Sequence, residues 1–599
     1  MNFRDQINDE TLSLRKNRHR QDFFARRSFL INDRSRHLIC PFKLKGIPEQ
    51  ILEKFRIDDN DLDNTIQKTI EYLSSKELDD IKFGSFLLRI YFNKIVSIED
   101  EYNKKNSTLD YHVDKFIDKG IIGVIGKVLI TESNIDILSE ITWALINMTY
   151  FDTIKNKYGY IKEFINPTYT EIYYKLIKIG DNEITEHLYS FLVNCIIQCE
   201  EFAKNIFADE NFIRLCIIKY LEPASSIKLE QNSKKATISF FVSLSKLSNI
   251  FTEKQKNAFY KLYEKLIGVM QNDPNVLTEA IIGLRYLFFS DKSKEKTVYN
   301  IIIKNNYNIF DKMFLSINEI LQNGIEFEDI DRTLYLISEI VNQFIILSEE
   351  KDVIILLQNT QLLNFIEAFY AKIYYKSVKN DLLNILVKIS HHSSNVVNNM
   401  VKGHENLLQN VIKEVLKENG FDLKMKGIEI VYYMLSLNSL DINAQLYRTG
   451  IIDQLISDNL INDEDQGCLK FILNGILFFI NTIKSLESQW KIEIINNLIK
   501  IGITNGFENN TTRFNDEHNI IINQIKTDIN NILNGNDIAY ENKNTNNHNN
   551  IISNPINQKI TKNNPFINNE NKINFGNIIS FESNSKNIQN EANPLGTIK

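Results

Sequence analysis

Apolar residues recur at helical spacing along most of the chain, and short polar or glycine-containing breaks separate the stretches. The clearest stretch is "IDKGIIGVIGKVLITESNIDILSEITWALINMT". It predicts a helix that ends at Gly120, a second helix over Ile122–Leu129 and a third over Ile135–Met148. Only three prolines occur between residues 60 and 535, which favours long uninterrupted helices throughout that region.

Related units follow one another from "LIKIGDNEITEHLYSFLVNCIIQC" to "DLKMKGIEIVYYMLSLN". The same late position of each third helix holds, in order, Asn147, Asn194, Lys246, Tyr286, Glu339, Lys388 and Tyr433. The intervals are 47, 52, 40, 53, 49 and 45 residues, a period typical of HEAT or armadillo repeats. A single unit cannot bury its apolar face alone, so the pattern predicts an all-α, right-handed superhelical solenoid over residues 59–535.

The two ends of the chain differ from this body. Residues 11–36 hold eight Lys or Arg against two Asp or Glu, a local charge of +6 in a chain of net charge −7, which leaves −13 for the rest. Residues 1–45 are therefore predicted to form a flexible segment with a basic helix. Residues 536–599 are rich in asparagine and poor in apolar residues, so they are predicted to be a disordered tail with room for a short binding motif.

Composition narrows the classes of function. A pI of about 5.9 argues against nucleic-acid binding along the body, and it suits a basic partner. No apolar run is long enough to predict a membrane span. The five cysteines are few and set in apolar surroundings, which is typical of a reducing compartment.

Three stretches have distinctive sequences: "ETLSLRKNRHRQDFFARRS", "SEITWALINMT" and "GFENNTTRFNDEHNIIINQIKTDINNIL". They resemble the importin alpha family of armadillo-repeat import adaptors. The first is similar to that family's importin-beta-binding segment, and the matching positions are Leu14, Arg15, Lys16, Arg18, Arg20, Arg26 and Arg27. The resemblance implies importin beta, proteins with basic nuclear localisation signals and an export receptor of the importin family as partners. It also implies a location in cytoplasm and nucleus, and neither catalysis nor a cofactor or metal.

The second stretch carries the Trp-x-x-x-Asn pattern of the family's cargo groove. Residues i and i+4 lie side by side on a helix, so an Asn amide can bind an extended peptide while aromatic rings contact Lys or Arg stems. The resemblance assigns cargo binding to Trp143, Asn147, Asn194 and Tyr286. The chain departs from the family at Ser190, Gln198, Lys246, Glu339 and Lys388, so the minor cargo site is predicted to be lost and the major site weakened.

Other interpretations remain open from sequence. Trp143 is either a groove residue or ordinary core, and the chain as a whole is either an import adaptor or a diverged scaffold for another protein. "GIIGVIGK" lacks the glycine and the Ser or Thr of a phosphate-binding loop, which favours a helix break before an apolar helix. Cys195 and Cys199 share a helix face as two metal ligands could, but their apolar neighbours favour buried thiols.

Overall fold

The computed structural model describes residues 62–102, 108–149, 158–221, 231–269, 274–289, 297–322, 330–370, 376–418, 420–460, 466–509 and 514–535. The predicted basic segment over residues 1–45 and the predicted tail over residues 536–599 lie outside the described residues. The chain divides into two compact units, and the division in the sequence falls between Lys388 and Ile389.

The first unit consists of helices joined by short connections. In chain order they are α1 (Leu62–Leu73), α2 (Leu78–Tyr102), α3 (Thr108–Asp118), α4 (Ile121–Thr131), α5 (Ile135–Met148), α6 (Pro167–Ile179), α7 (Asn182–Gln198), α8 (Glu200–Ala208), α9 (Glu210–Leu221), α10 (Gln231–Ser245), α11 (Glu253–Val269), α12 (Pro274–Phe289), α13 (Thr297–Lys304), α14 (Asn308–Gln322), α15 (Ile330–Leu347), α16 (Glu350–Asn359), α17 (Leu362–Tyr370) and α18 (Lys376–Ser390). The last of these runs two residues past the boundary.

The second unit continues with helices of the same kind. They are α19 (Ser394–Val401), α20 (Lys413–Leu416), α21 (Phe421–Ser436), α22 (Leu440–Arg448), α23 (Ile451–Gln454), α24 (Gln466–Ile483), α25 (Ser488–Ile501), α26 (Ile503–Asn509) and α27 (Asp516–Leu533). Two π-helical turns, Leu407–Ile412 and Leu455–Leu460, widen the helices they join. The described part of the chain contains no β-strand.

Helices about one repeat apart pack against each other in rows. In the first unit, one row runs α2, α5, α7, α10, α12 and α15, each in contact with the next; we call it the ladder row, because α5, α7, α12 and α15 carry predicted ladder residues. A second row places α1 on α4, α4 on α6, and α6 on α9. In the second unit, α21 packs on α24 and α24 on α27. The described part of the protein is therefore an all-α helical repeat.

Local sequence sets where these helices begin. Gly120 adopts a left-handed conformation (φ 79°) ahead of α4, which confirms the predicted helix break in "GIIGVIGK". Asn134 then caps α5, its side chain accepting a hydrogen bond from the Ile137 backbone N–H at 3.2 Å. Asn166 and Asp181 cap α6 and α7 in the same manner. Among the described residues, we find no helix that combines the length and the apolar character needed to cross a bilayer.

Candidate functional site

The indole ring of Trp143 lies in a seam between three consecutive helices of the ladder row. Trp143 is half-buried on α5. The guanidinium carbon of Arg89, from α2, is 5.4 Å from the centroid of the indole ring, and the ring of His187, from α7, is 5.1 Å from it. A cation and an imidazole of the chain itself therefore contact the ring that sequence assigned to cargo.

Arg89 is held there by an ion pair as well as by the ring. Its Nε donates a hydrogen bond to Glu140, and both side chains are buried. Burial raises the pKa of Glu140 to about 7; Arg89 acts in the opposite direction, and the carboxylates of Glu183 and Asp136 raise the pKa further. Near neutral pH this buried carboxyl is consequently close to its titration midpoint.

His187 is fixed on the other side of the indole. It is buried, and its Nδ1 lies 3.2 Å from the Thr142 hydroxyl oxygen, within hydrogen-bonding distance. Thr142 in turn donates to the backbone carbonyl of Leu138 at 2.8 Å, within its own helix. If the threonine proton is used in that bond, its oxygen accepts from the imidazole. The seam thus links α5 to α7 through side chains, in addition to their apolar packing.

The two asparagines assigned to cargo also lie between helices. Asn147 is 3% exposed and Asn194 is 6% exposed. The Asn194 amide nitrogen donates to the carbonyl oxygen of Ile146 at 3.1 Å and contacts the hydroxyl of Thr149 at 3.3 Å. Gln198 donates to the Thr149 carbonyl. Because the last carbonyls of a helix have no partner within it, α7 supplies partners to the end of α5.

A third assigned residue, Tyr286, is half-buried on α12 and contacts a lysine of the chain. The ammonium of Lys246, just after α10, is 5.6 Å from the centroid of the Tyr286 ring. Lys246 is an exposed residue, yet the protein atoms around its ammonium remove hydration and lower its pKa, with Glu279 opposing this shift. Burial likewise raises the pKa of the Tyr286 phenol.

Glu339, one of the departures from the family, pairs with the preceding helix of the row. Arg285 on α12 donates from Nε and from an Nη atom to the two carboxylate oxygens of Glu339 on α15, each at 2.7 Å. This bidentate geometry is the strong form of an Arg–carboxylate pair. The Arg285 guanidinium also lies 5.1 Å from the centroid of the Phe289 ring.

These contacts share one arrangement. An aromatic or acidic side chain on one helix of the ladder row faces a cation from the preceding helix or the turn after it. The pairs are Arg89 with Trp143 and Glu140, Lys246 with Tyr286, and Arg285 with Glu339. A bound basic peptide would offer the same chemistry to the same rings and carboxylates.

Among the described residues, the other residues singled out from sequence do not form a separate binding or metal site. Ser190 is half-buried on α7, and Lys388 is exposed near the end of α18. Cys195 and Cys199 are both buried, and burial raises the pKa of the Cys195 thiol well above its usual range. Across the described ranges, no three His, Cys, Asp or Glu side chains come together as a metal site would require.

Sequence reasoning did not find Arg89 or His187. Arg89 lies on α2, in a region without ladder residues, and His187 precedes Asn194 by seven residues on an apolar helix. The only available signal was their rarity as charged or titratable residues among apolar neighbours. The seam they form depends on which helices pack together, and helical periodicity alone does not predict which helices are neighbours.

Comparisons with known proteins leave the family open. No protein-family model matches the sequence, and no curated protein matches it. One similar solved chain is an engineered protein, at 13% identity and a TM-score of 0.47, over 78% of this chain and 99% of that chain. Another belongs to a structure described as "A conserved phosphorylation switch controls the interaction between cadherin and beta-catenin in vitro and in vivo", at 9% identity and a TM-score of 0.43, over 78% and 86%. The evidence for the helical repeat is the packing of helices that lie about one repeat apart in the sequence.

Proposed function

We propose that this protein is an adaptor of the importin alpha type: an armadillo-repeat superhelix that binds importin beta through its basic N-terminal segment and acts in cytoplasm and nucleus. The observation that carries the proposal is the match of "ETLSLRKNRHRQDFFARRS" to an importin-beta-binding segment, at Leu14, Arg15, Lys16, Arg18, Arg20, Arg26 and Arg27. The stacked helical repeat that follows it supports the same conclusion.

The proposed cargo is an extended basic peptide, and the proposed surface is the ladder row. Of the assigned residues, Tyr286 and Trp143 are half-buried, whereas Asn147 and Asn194 are almost fully buried. A peptide would reach the two rings more readily than the two amides. Because Arg89 and Lys246 already lie at those rings, a basic side chain of the cargo would compete with them, and we expect weaker binding than an unoccupied groove would give.

A second candidate function rests on the contacts that Arg89 and Lys246 make with these rings. If Arg89, Lys246 and Arg285 hold the ladder row together, the row serves the stability of the solenoid, and the protein is a scaffold that binds another partner. In this alternative the basic N-terminal segment has a use unrelated to transport.

The experiment is a binding measurement between importin beta and the full chain, with Arg15→Ala plus Lys16→Ala as the test variant. The matched control is Arg34→Ala plus Arg36→Ala, which removes the same charge from the same basic stretch outside the matched positions. The adaptor proposal expects salt-sensitive binding of about 1 μM or tighter, some 8 kcal/mol, that the test variant loses and the control keeps. Equal loss in both variants would indicate attraction between net charges, and no binding by the unaltered chain would favour the scaffold.

A further inference from the structure

Five aromatic side chains form a continuous strip in the second unit. His391 follows α18, Tyr432 and Tyr433 lie on α21, and Phe471 and Phe478 lie on α24; we call these residues the aromatic strip. The ring centroids of His391 and Tyr433 are 3.6 Å apart, and those of Tyr433 and Tyr432 are 5.2 Å apart. Tyr432 then contacts Phe471 at 4.9 Å and Phe478 at 6.0 Å.

A glycine on α24 lets the two helices approach at this place. A Cβ atom at Gly475 would come within 3.2 Å of a Leu435 methyl group and within 4.0 Å of the Tyr432 Cα. Phe471 and Phe478 lie four residues before and three residues after Gly475, on the same helix face. The Tyr432 ring is consequently held between two phenylalanines that the close helix contact positions.

The strip remains accessible to another molecule. Tyr432, Tyr433, Phe471 and Phe478 are each half-buried, as are Asn474 and Leu477 beside them, and His391 is exposed. Two lysines on the helices that carry these rings, Lys426 and Lys470, are paired with Glu429 and Glu517. An accessible run of aromatic rings suits a proline- or phenylalanine-containing extended peptide better than a charged one.

The end of the described chain lies near this strip. Lys470 pairs with Glu517 and Lys484 pairs with Asp528, so α24 and α27 run in the same direction side by side. Leu533, where α27 ends, is five residues beyond Asp528, and Phe478 is six residues before Lys484. At 1.5 Å per residue, the end of α27 is about 15–20 Å along the helix axis from Phe478.

The chain that continues from α27 contains a peptide of the required kind. Residues 563–568 read "NNPFIN" and combine Pro565, Phe566 and Ile567 without a charged residue. Proline fixes its own φ and disfavours the helical conformation at Asn564, so the peptide loses less conformational freedom when it binds in an extended form. Pro565 is thirty residues after Gly535, and a coil of that length spans about 30 Å, enough to reach the strip.

We propose that residues 563–568 of the chain's own C-terminal tail bind the aromatic strip, with Phe566 and Pro565 against the rings of Tyr432, Phe471 and Phe478. A tether of this length gives an effective concentration on the order of 1 mM. A peptide of Kd about 100 μM would then occupy the strip for roughly nine-tenths of the time. The bound tail closes this surface to other proteins until a stronger ligand displaces it, which is independent of the import proposal because it uses no N-terminal residue.

The test places a photoreactive side chain in the tail of the full-length protein. Phe566→p-benzoylphenylalanine is irradiated, and the cross-linked peptides are mapped by mass spectrometry. Phe581→p-benzoylphenylalanine, in the same tail but outside the proposed segment, is the matched control. We expect the first variant to link to residues 421–436 or 466–483 within one chain, at least about tenfold more than the control does, since a free tail would react without preference.

A second measurement uses tail substitutions that leave the helical body unchanged. Pro565→Ser plus Phe566→Ser should speed amide hydrogen exchange about twofold or more in peptides from α21 and α24, whereas Phe581→Ser should not. Links to other regions, equal labelling by the control, or links that appear only between two chains would overturn the proposal. The last result would make the strip an interface between copies of the protein.

Discussion

The guanidinium carbon of Arg89 lies 5.4 Å from the centroid of the Trp143 indole, while its Nε bonds to Glu140 on the same helix as the tryptophan. One arginine therefore makes a cation–π contact with the ring and a hydrogen bond with the carboxylate. It belongs to α2, a helix that carries none of the predicted ladder residues. The cation that a cargo peptide would bring to Trp143 is thus provided by the chain.

Replacing Arg89 should have a large effect on stability. Arg89→Ala leaves Glu140 buried without its cation; because this carboxyl can then take up a proton, the expected cost is that of an unsatisfied buried group, about 1–3 kcal/mol. Lys254→Ala, which breaks the exposed pair with Glu210, should change the free energy of unfolding by less than about 1 kcal/mol. Denaturant unfolding of both variants measures the difference. A loss of under 1 kcal/mol in Arg89→Ala would mean that the pair contributes little.

The raised pKa of Glu140 predicts a pH dependence of stability. Between the ordinary value of 4.5 and about 7, the folded state binds a proton that the unfolded state has released, so stability falls as pH rises through this window and levels off above it. The loss is about 3 kcal/mol at most. Glu140→Gln should flatten the curve, and Glu171→Gln, which changes an exposed carboxylate, should not. A curve that keeps its slope in Glu140→Gln would assign the dependence to another group.

Periodicity predicted much of the fold because the apolar pattern within each repeat indicates where the helices of that repeat lie. The third helix of the clearest repeat was expected over Ile135–Met148, and α5 has those bounds. The helix expected over Ile122–Leu129 is present and longer, from Ile121 to Thr131. Apolar spacing gives the face that a helix buries, and caps such as Asn134 give its start. The handedness of the stacking and the armadillo class remain predictions.

Asn194 should contribute to the stability of the neighbouring repeat. Asn194→Ala removes the hydrogen bonds to Ile146 and Thr149, while the Thr149 hydroxyl continues to donate to the carbonyls of Leu145 and Ile146, so the cost should be that of lost hydrogen bonds, about 1–1.5 kcal/mol. Ser190→Ala, one turn earlier on the same helix and half-buried, should cost less than about 0.5 kcal/mol. Thermal unfolding compares them. Equal stability of the two variants would show that the Asn194 bonds contribute nothing net.

Gly283 should not tolerate a side chain. An alanine Cβ there would lie 2.3–2.4 Å from atoms of the Tyr263 ring, whose hydroxyl is 2.7 Å from the Ser245 hydroxyl. Gly283→Ala should therefore destabilise the protein by about 1–3 kcal/mol. Gly123→Ala is the control, since Gly123 is an exposed helical glycine with open space around it, and it should stabilise by about 0.5–1 kcal/mol. Chemical denaturation measures both, and a stabilised Gly283→Ala would refute the expectation.

Lys246 should oppose the binding of a basic peptide. Lys246→Ala frees the Tyr286 ring, worth about 0.5–1 kcal/mol to a competing cation, so a labelled lysine-rich peptide should bind the full chain about two- to fivefold more tightly. Lys388→Ala removes an equal charge from an exposed ladder position and should have a smaller effect. Fluorescence anisotropy gives both affinities. Weaker binding to Lys246→Ala would mean that the lysine helps to hold the peptide.

The site was harder to predict than the fold, for a physical reason. Sequence placed Trp143 and Asn147 correctly on one helix, because residues four apart share a face. The partners of those residues come from other helices, about 45 to 55 positions away, as Arg89 and Glu140 are. Pairings of that kind depend on how the helices are rotated against each other, and a single sequence does not show this rotation.

The bonds from Asn194 and Gln198 to the end of α5 limit how the chain can be shortened. A fragment that stops after Thr149 would expose the carbonyls of Ile146 and Thr149 that α7 otherwise binds. A fragment that contains α5 should therefore continue beyond Gln198, because the side chains that bind the last carbonyls of α5 belong to α7.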